Sequence, residues 1–135
     1  MVDKEKKDLI VRFLSERFPN LKAIYLFGSS VTPGEKFNGD IDLALLPGNL
    51  LSSWERWEAA QKLAILLNTE VDLVDLRRAS TVMQFQVISS GQYLYEKERE
   101  ERERYEDKVF SAYIRLNEER GAILADVYSR GSVYG

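Results

Sequence analysis

The residues of this 135-residue chain best suited to chemistry are three aspartates and a Gly-Ser pair. Asp40 and Asp42 alternate with Ile41, Leu43 and Leu45. In an extended strand that alternation puts both carboxylates on one face, about 6–7 Å apart, and the apolar side chains on the other. Two anions on an otherwise apolar strand repel each other, and burying them unpaired costs several kcal/mol each; a cation is the natural offset. The chain has no histidine and no cysteine, so the ligand set is all oxygen, which favours magnesium or manganese. Magnesium takes one or two carboxylates and leaves positions for water and phosphate oxygens, as a nucleotide substrate requires. Asp72, inside the apolar run Val71–Leu76, is the third ligand expected, holding one metal and accepting a proton from an attacking hydroxyl. Asp75 is the other candidate, but it shares its face with Val71 and Leu73, opposite to Asp72. Gly28-Ser29 supplies a phosphate end: glycine lets the backbone approach closely and serine adds a hydroxyl donor.

The elements that must position these groups follow from periodicity. Lys4 to Phe18 carries Leu9, Ile10, Phe13 and Leu14 on one helical stripe and stops at Pro19-Asn20. Lys22 to Phe27 is too short for a helix and reads as a strand buried on both faces. Turn dipeptides Pro33-Gly34 and Asn38-Gly39 precede a strand over Asp40–Leu46. Ser52 or Ser53 caps a helix from Trp54 to about Asn68, with Trp57, Ala60, Leu63, Ala64 and Leu67 facing inward. Glu70–Leu76 reads as a central strand, Thr81–Ser89 as a helix capped by Ser80, and Gln92–Tyr95 as a short edge strand. From Glu96 to about Tyr128 one long helix is expected, with Tyr105, Val109, Ala112, Leu116, Ile123 and Val127 near three-and-four spacing and Gly121 weakening its last third. The whole is one α/β (α+β) unit, a mixed sheet of about four strands flanked by helices: a body over 1–95, a helical extension over 96–128 and a fraying tail over 129–135. A four-stranded sheet cannot bury the whole stripe of that extension, so its remainder is expected to pack on a partner.

Composition narrows the chemistry. Without cysteine or histidine there are no disulfides, thiol nucleophiles, Cys/His zinc sites or Ser–His–Asp triads. Nineteen basic and 22 acidic residues give a net charge of −3, which does not suit electrostatic wrapping of nucleic acid. No apolar run reaches the ~18 residues of a membrane span and the start lacks a signal-peptide core, so a cytoplasmic protein is expected. Residues 96–108 hold seven acidic and five basic side chains. They are read as a solvated helix surface with favourable Glu98–Arg102 and Glu100–Arg104 pairs.

Gly28-Ser29, ten residues, then Asp40-Ile41-Asp42 resembles the Gly-Ser-x10-Asp-x-Asp signature of polymerase-β-like nucleotidyltransferases. The short length, the Val-Asp-Leu-Val-Asp-Leu strand (Val71 to Leu76), the run Ile24 to Ser29, the Trp54 to Leu67 helix and the segment Arg77 to Val82 make it most similar to the minimal nucleotidyltransferases, the MntA-type antitoxins paired with HEPN toxins such as HepT. The likeness covers roughly residues 5–95. It implies a polymerase-β-like fold, in which Asp40 and Asp42 hold two Mg²⁺ ions, Asp72 binds the one next to the nucleophile, and Gly28 and Ser29 hold the β/γ-phosphates of ATP. It further implies transfer of AMP to a tyrosine of a HEPN-type ribonuclease toxin, with a hetero-oligomer formed through the C-terminal helix. Two alternatives stay open: the same chemistry on a small molecule, as in aminoglycoside nucleotidyltransferases, or an antitoxin acting by contact alone. The sequence departs from many relatives in lacking an arginine soon after Gly-Ser, which leaves Lys36 or Arg77-Arg78 as candidate phosphate contacts.

Overall fold

The computed structural model describes residues 2–28, Val31 and residues 39–130. Its elements run α1 (Lys4–Arg17), β1 (Ala23–Phe27), β2 (Ile41–Leu46), α2 (Ser53–Leu67), β3 (Val71–Asp75), α3 (Thr81–Ser90), β4 (Gln92–Glu96) and α4 (Arg99–Arg130). The strands form one sheet in the order β3-β2-β1-β4. β1 pairs antiparallel with β2 and with β4, while β2 and β3 run parallel.

Side-chain alternation divides the core into two layers. Ile24, Leu26, Ile41, Leu43, Leu45 and Leu73 face the layer built with Ile10 and Leu14 of α1 and Ala59 and Leu63 of α2. Ala23, Tyr25, Ala44, Leu46 and Leu76 face the opposite layer, which Val87 of α3 and Tyr105 of α4 close. The even-numbered aspartates of β2 and β3 therefore share the α3/α4 side of the sheet with Tyr25.

Local chemistry explains the boundaries. Asp3 accepts from the Lys6 amide, Ser52 and Glu55 form a reciprocal capping box, and Ser80 accepts from the Met83 amide. α2 ends at Asn68 in a left-handed conformation (φ 51°), which an asparagine tolerates. α4 starts at Arg99 rather than Glu96, because Glu96 is still paired in β4.

Three packing expectations are corrected. β3 is an edge strand, not a central one. Its apolar residues reflect the layers above and below it, and Arg56 of α2 satisfies its Leu73 carbonyl at 2.9 Å. Trp57 points outward rather than into the core, stacked on Trp54 with ring centroids 5.2 Å apart. Ala59, one position beyond the expected stripe, is buried with Ala60, Leu63 and Leu67.

The charged start of α4 also differs from a solvated surface. Arg102 pairs with Glu96 and Glu106 rather than Glu98, and its guanidinium lies 4.0 Å from the Tyr93 ring centroid. Glu106 in turn accepts from the Tyr25 hydroxyl at 2.6 Å, and the Tyr105 hydroxyl donates to Gln84 at 2.8 Å. Burial raises both tyrosine hydroxyls above their ordinary value, with Glu106 reinforcing the effect, so both stay protonated donors. This network ties α4 to β1, β4 and α3. Beyond it the helix leaves the body: Val109 is buried, whereas Ile123 and Val127, on the same stripe, are exposed. No helix among the described residues is long and apolar enough to cross a membrane.

Candidate active site

The parallel register of β2 and β3 sets Asp42 directly beside Asp72, on neighbouring strands about 4.8 Å apart. On its other side Asp42 pairs with Phe27, the last residue of β1. The chain then turns at Gly28 with φ +73°, a left-handed conformation that costs glycine little. That turn brings the backbone against the carboxylate: a Cβ on Gly28 would lie 2.5 Å from Asp42 Oδ2. Asp40 stands just before β2, exposed, two positions from Asp42 and on the same side.

The carboxylates of the cluster repel one another. Asp42 is half-buried, and its carboxyl is raised above the ordinary value, chiefly by burial and then by the charges of Asp72 and Asp40. Such mutual repulsion is what a bound divalent cation relieves. The donor set fits a hard cation, being carboxylate oxygen throughout. Among the described residues, no three carboxylates stand close enough to hold an ion by themselves. A magnesium site of this class does not need them to, because water and substrate phosphates complete its coordination.

The remaining expected residues are either undescribed or placed elsewhere. Ser29, Lys36 and the Pro33-Gly34 turn lie outside the described residues. Asp75 is buried on the other face, where it accepts from the Arg77 amide at 2.9 Å and pairs with Arg78 at 3.7 Å. Asp75 is thus occupied in shaping the turn after β3. Arg77 and Arg78 sit in the turn past the end of β3, which itself ends about 10 Å along the strand from Asp72. The Tyr25–Glu106–Arg102 network beneath this face escapes sequence reasoning, because it joins positions 81 residues apart. The only sequence cue is a hydroxyl-bearing tyrosine in an otherwise hydrocarbon strand.

Residues 9–100 match the model of the family described as polymerase beta, nucleotidyltransferase. The protein adenylyltransferase MntA of Shewanella oneidensis is 44 % identical over 118 residues, spanning 87 % of this chain and 84 % of that protein. A solved complex of a tri-AMPylated Shewanella oneidensis HEPN toxin with MNT antitoxin matches at 41 % identity and a TM-score of 0.77, covering 93 % of this chain and 98 % of the matched one. A toxin–antitoxin crystal structure with AMP-PNP matches at 43 % identity and a TM-score of 0.79, covering 90 % and 98 %. With the family model spanning more than half its length, the chain belongs to the polymerase beta nucleotidyltransferase family.

Proposed function

We propose that this chain is an antitoxin adenylyltransferase of the cytoplasm, transferring AMP from ATP to a tyrosine hydroxyl of a cognate HEPN-family ribonuclease toxin and so neutralising it. The observation that carries the reading is the pairing of Asp42 with Asp72 across β2 and β3, with the Gly28 turn set against Asp42. The 44 % identity to a protein adenylyltransferase supports the choice of reaction. The likeness to the antitoxin partner of a tri-AMPylated HEPN toxin supports the choice of acceptor.

On this reading residues 1–95 form the catalytic body and 96–128 a helical extension, whose exposed Ile123 and Val127 meet the toxin. Asp40, Asp42 and Asp72 would hold two Mg²⁺ ions, which when bound neutralise phosphate charge and ease deprotonation of the attacking hydroxyl. Gly28 and Ser29 hold the β- and γ-phosphates through close backbone approach and a hydroxyl donor. The tyrosine oxygen forms a bond to the α-phosphorus as the bond from that phosphorus to the α,β-bridging oxygen breaks. Pyrophosphate leaves and the hydroxyl proton passes to Asp72. Positioning and charge stabilisation supply most of the rate. The added AMP places bulk and negative charge on the toxin, opposing its RNA substrate.

The test is incubation with ATP labelled at the α-phosphate, Mg²⁺ and the purified product of the neighbouring gene. Label should appear on a tyrosine of that protein and vanish with the Asp40→Asn, Asp42→Asn double variant. Neutralisation that survives the double change would sink the catalytic reading. Labelling of an aminoglycoside in place of the protein would move the activity to small molecules.

A further inference from the structure

At the end of the sheet opposite Asp42 lies an open cleft of about 590 Å³ between the α3–α4 layer and the strand ends. That size falls within the range of small-molecule sites. Four cations line it: Lys22 before β1, Arg77 after β3, and Arg104 and Lys108 on α4, against the single carboxylate of Glu101. None of the four forms an ion pair with a described residue, whereas Arg17, Arg78, Arg99 and Arg102 all do. Arg104 and Lys108 stand at i,i+4 on one helix face, a like-charge arrangement that is unfavourable by itself. Three separate parts of the chain therefore bring positive charge to one hollow, with Glu101 alone among its lining residues to offset it. Thr81, the first residue of the ten-residue α3, also lines the cleft and adds the positive end of that helix. Val109 and Ala112 give it an apolar wall.

We propose that this cleft is a second anion site, taking a linear polyphosphate such as that of a nucleoside triphosphate. A polyanion answers the excess positive charge of the hollow, and lysine and arginine are the side chains that recognise phosphate oxygens. The site lies past the end of β3, about 10 Å or more from Asp72 along the sheet, and has no carboxylate pair to hold a metal. Its binding is therefore independent of divalent cation, and independent of the function proposed above.

The experiment is calorimetric titration of the full chain with inorganic tripolyphosphate and, separately, ATP, in chelator at low ionic strength. One tripolyphosphate per chain is expected, weakening as salt rises. The Arg104→Ser, Lys108→Ser double variant should bind at least tenfold more weakly with an unchanged circular dichroism spectrum, while Asp42→Asn binds as the parent does. Counting only the binding that the Arg104→Ser, Lys108→Ser variant loses, tighter binding of ATP than of tripolyphosphate assigns the apolar wall to the nucleoside, and equal binding assigns the site to the phosphate chain alone. Lys4→Ser, Lys6→Ser removes the same charge from α1 and should leave binding intact. Absence of binding, indifference to Arg104 and Lys108, or equal loss in the α1 control overturns the proposal.

Discussion

Replacing Gly28 with alanine separates the stability of this fold from its proposed chemistry. Two costs arise at the same atom. The first is conformational: at φ +73° a Cβ clashes with the backbone, at a cost of roughly 1–2 kcal/mol. The second is positional: the new methyl would lie 2.5 Å from Asp42 Oδ2, where ordinary contact begins at 3.4 Å, so one of the two must move by about 1 Å. The Asp42 carboxylate is the far end of a short, half-buried side chain near the start of β2, so it can yield without disturbing the core. The stability loss should therefore stop near the conformational cost, readable by urea unfolding. Activity should not be spared, since a displacement of that size at a reacting centre costs roughly a hundredfold. AMP transfer to the toxin should fall by about that factor at saturating ATP, far beyond the small fraction of unfolded protein. Near-parental transfer by a folded Gly28→Ala protein would mean that the Asp42 carboxylate need not stand where the Gly28 turn fixes it.

Three further outcomes follow from the same structure. Asp42 has its carboxyl raised in the folded state by burial and by Asp72 and Asp40, so in chelator its ionisation opposes folding. Its favourable contribution is complete below the ordinary value of 3.8 and is lost as pH rises through the folded value; Asp42→Asn should remove that dependence, measured by unfolding across an acid-to-neutral series. Tyr25→Phe deletes the buried hydroxyl that donates to Glu106 at 2.6 Å and should cost about 1.5–3 kcal/mol in urea unfolding, the range for a hydrogen bond to a charged group. Gly121→Ala lies in open space on the exposed half of α4 and should raise helicity by circular dichroism, worth about 0.5–1 kcal/mol locally. The midpoint of global unfolding should stay put, because that half of the helix does not pack on the body.

What the sequence discloses here tracks the range of each interaction. Element boundaries are legible to within three residues because their causes are local: Ser52 and Ser80 cap their own helices, and the alternation of Asp40, Asp42 and Leu43 fixes a strand face. Strand order is not legible in that way. Val71, Leu73 and Val74 look like a central strand because α2 covers one face of β3 and Val74 packs against the Leu76 layer on the other, yet its outer edge is open except where Arg56 reaches it. Trp57 is misplaced for a related reason, since its size suggests the core while Ala59 fills the close contact with the sheet. The pairing of Arg102 with Glu96 and Glu106 instead of Glu98 depends on where β4 ends relative to α4, which no i,i+4 rule contains. The same holds at the site. The Asp40/Asp42 spacing is readable in one strand, but the adjacency of Asp42 and Asp72 exists only because a parallel crossover sets β3 in register with β2.

The edge position of β3 also bears on what the proposed enzyme can accept. In a central strand Asp72 would be flanked by backbone on both sides, and an acceptor could approach only from above the sheet. At the edge Asp72 is exposed, with Asp42 on one side and no strand on the other. A tyrosine carried on a folded partner can then approach past the edge of the sheet and deliver its hydroxyl to Asp72, while the phosphates lie inward toward Gly28. A small acceptor would need a second lobe on that open side to hold it in place, and none of the described elements lies beyond β3. On the proposed reading the uncovered stripe of α4 would supply the complementary requirement, a grip on the partner remote from the reacting atoms, so that binding energy serves orientation rather than contact at the phosphorus.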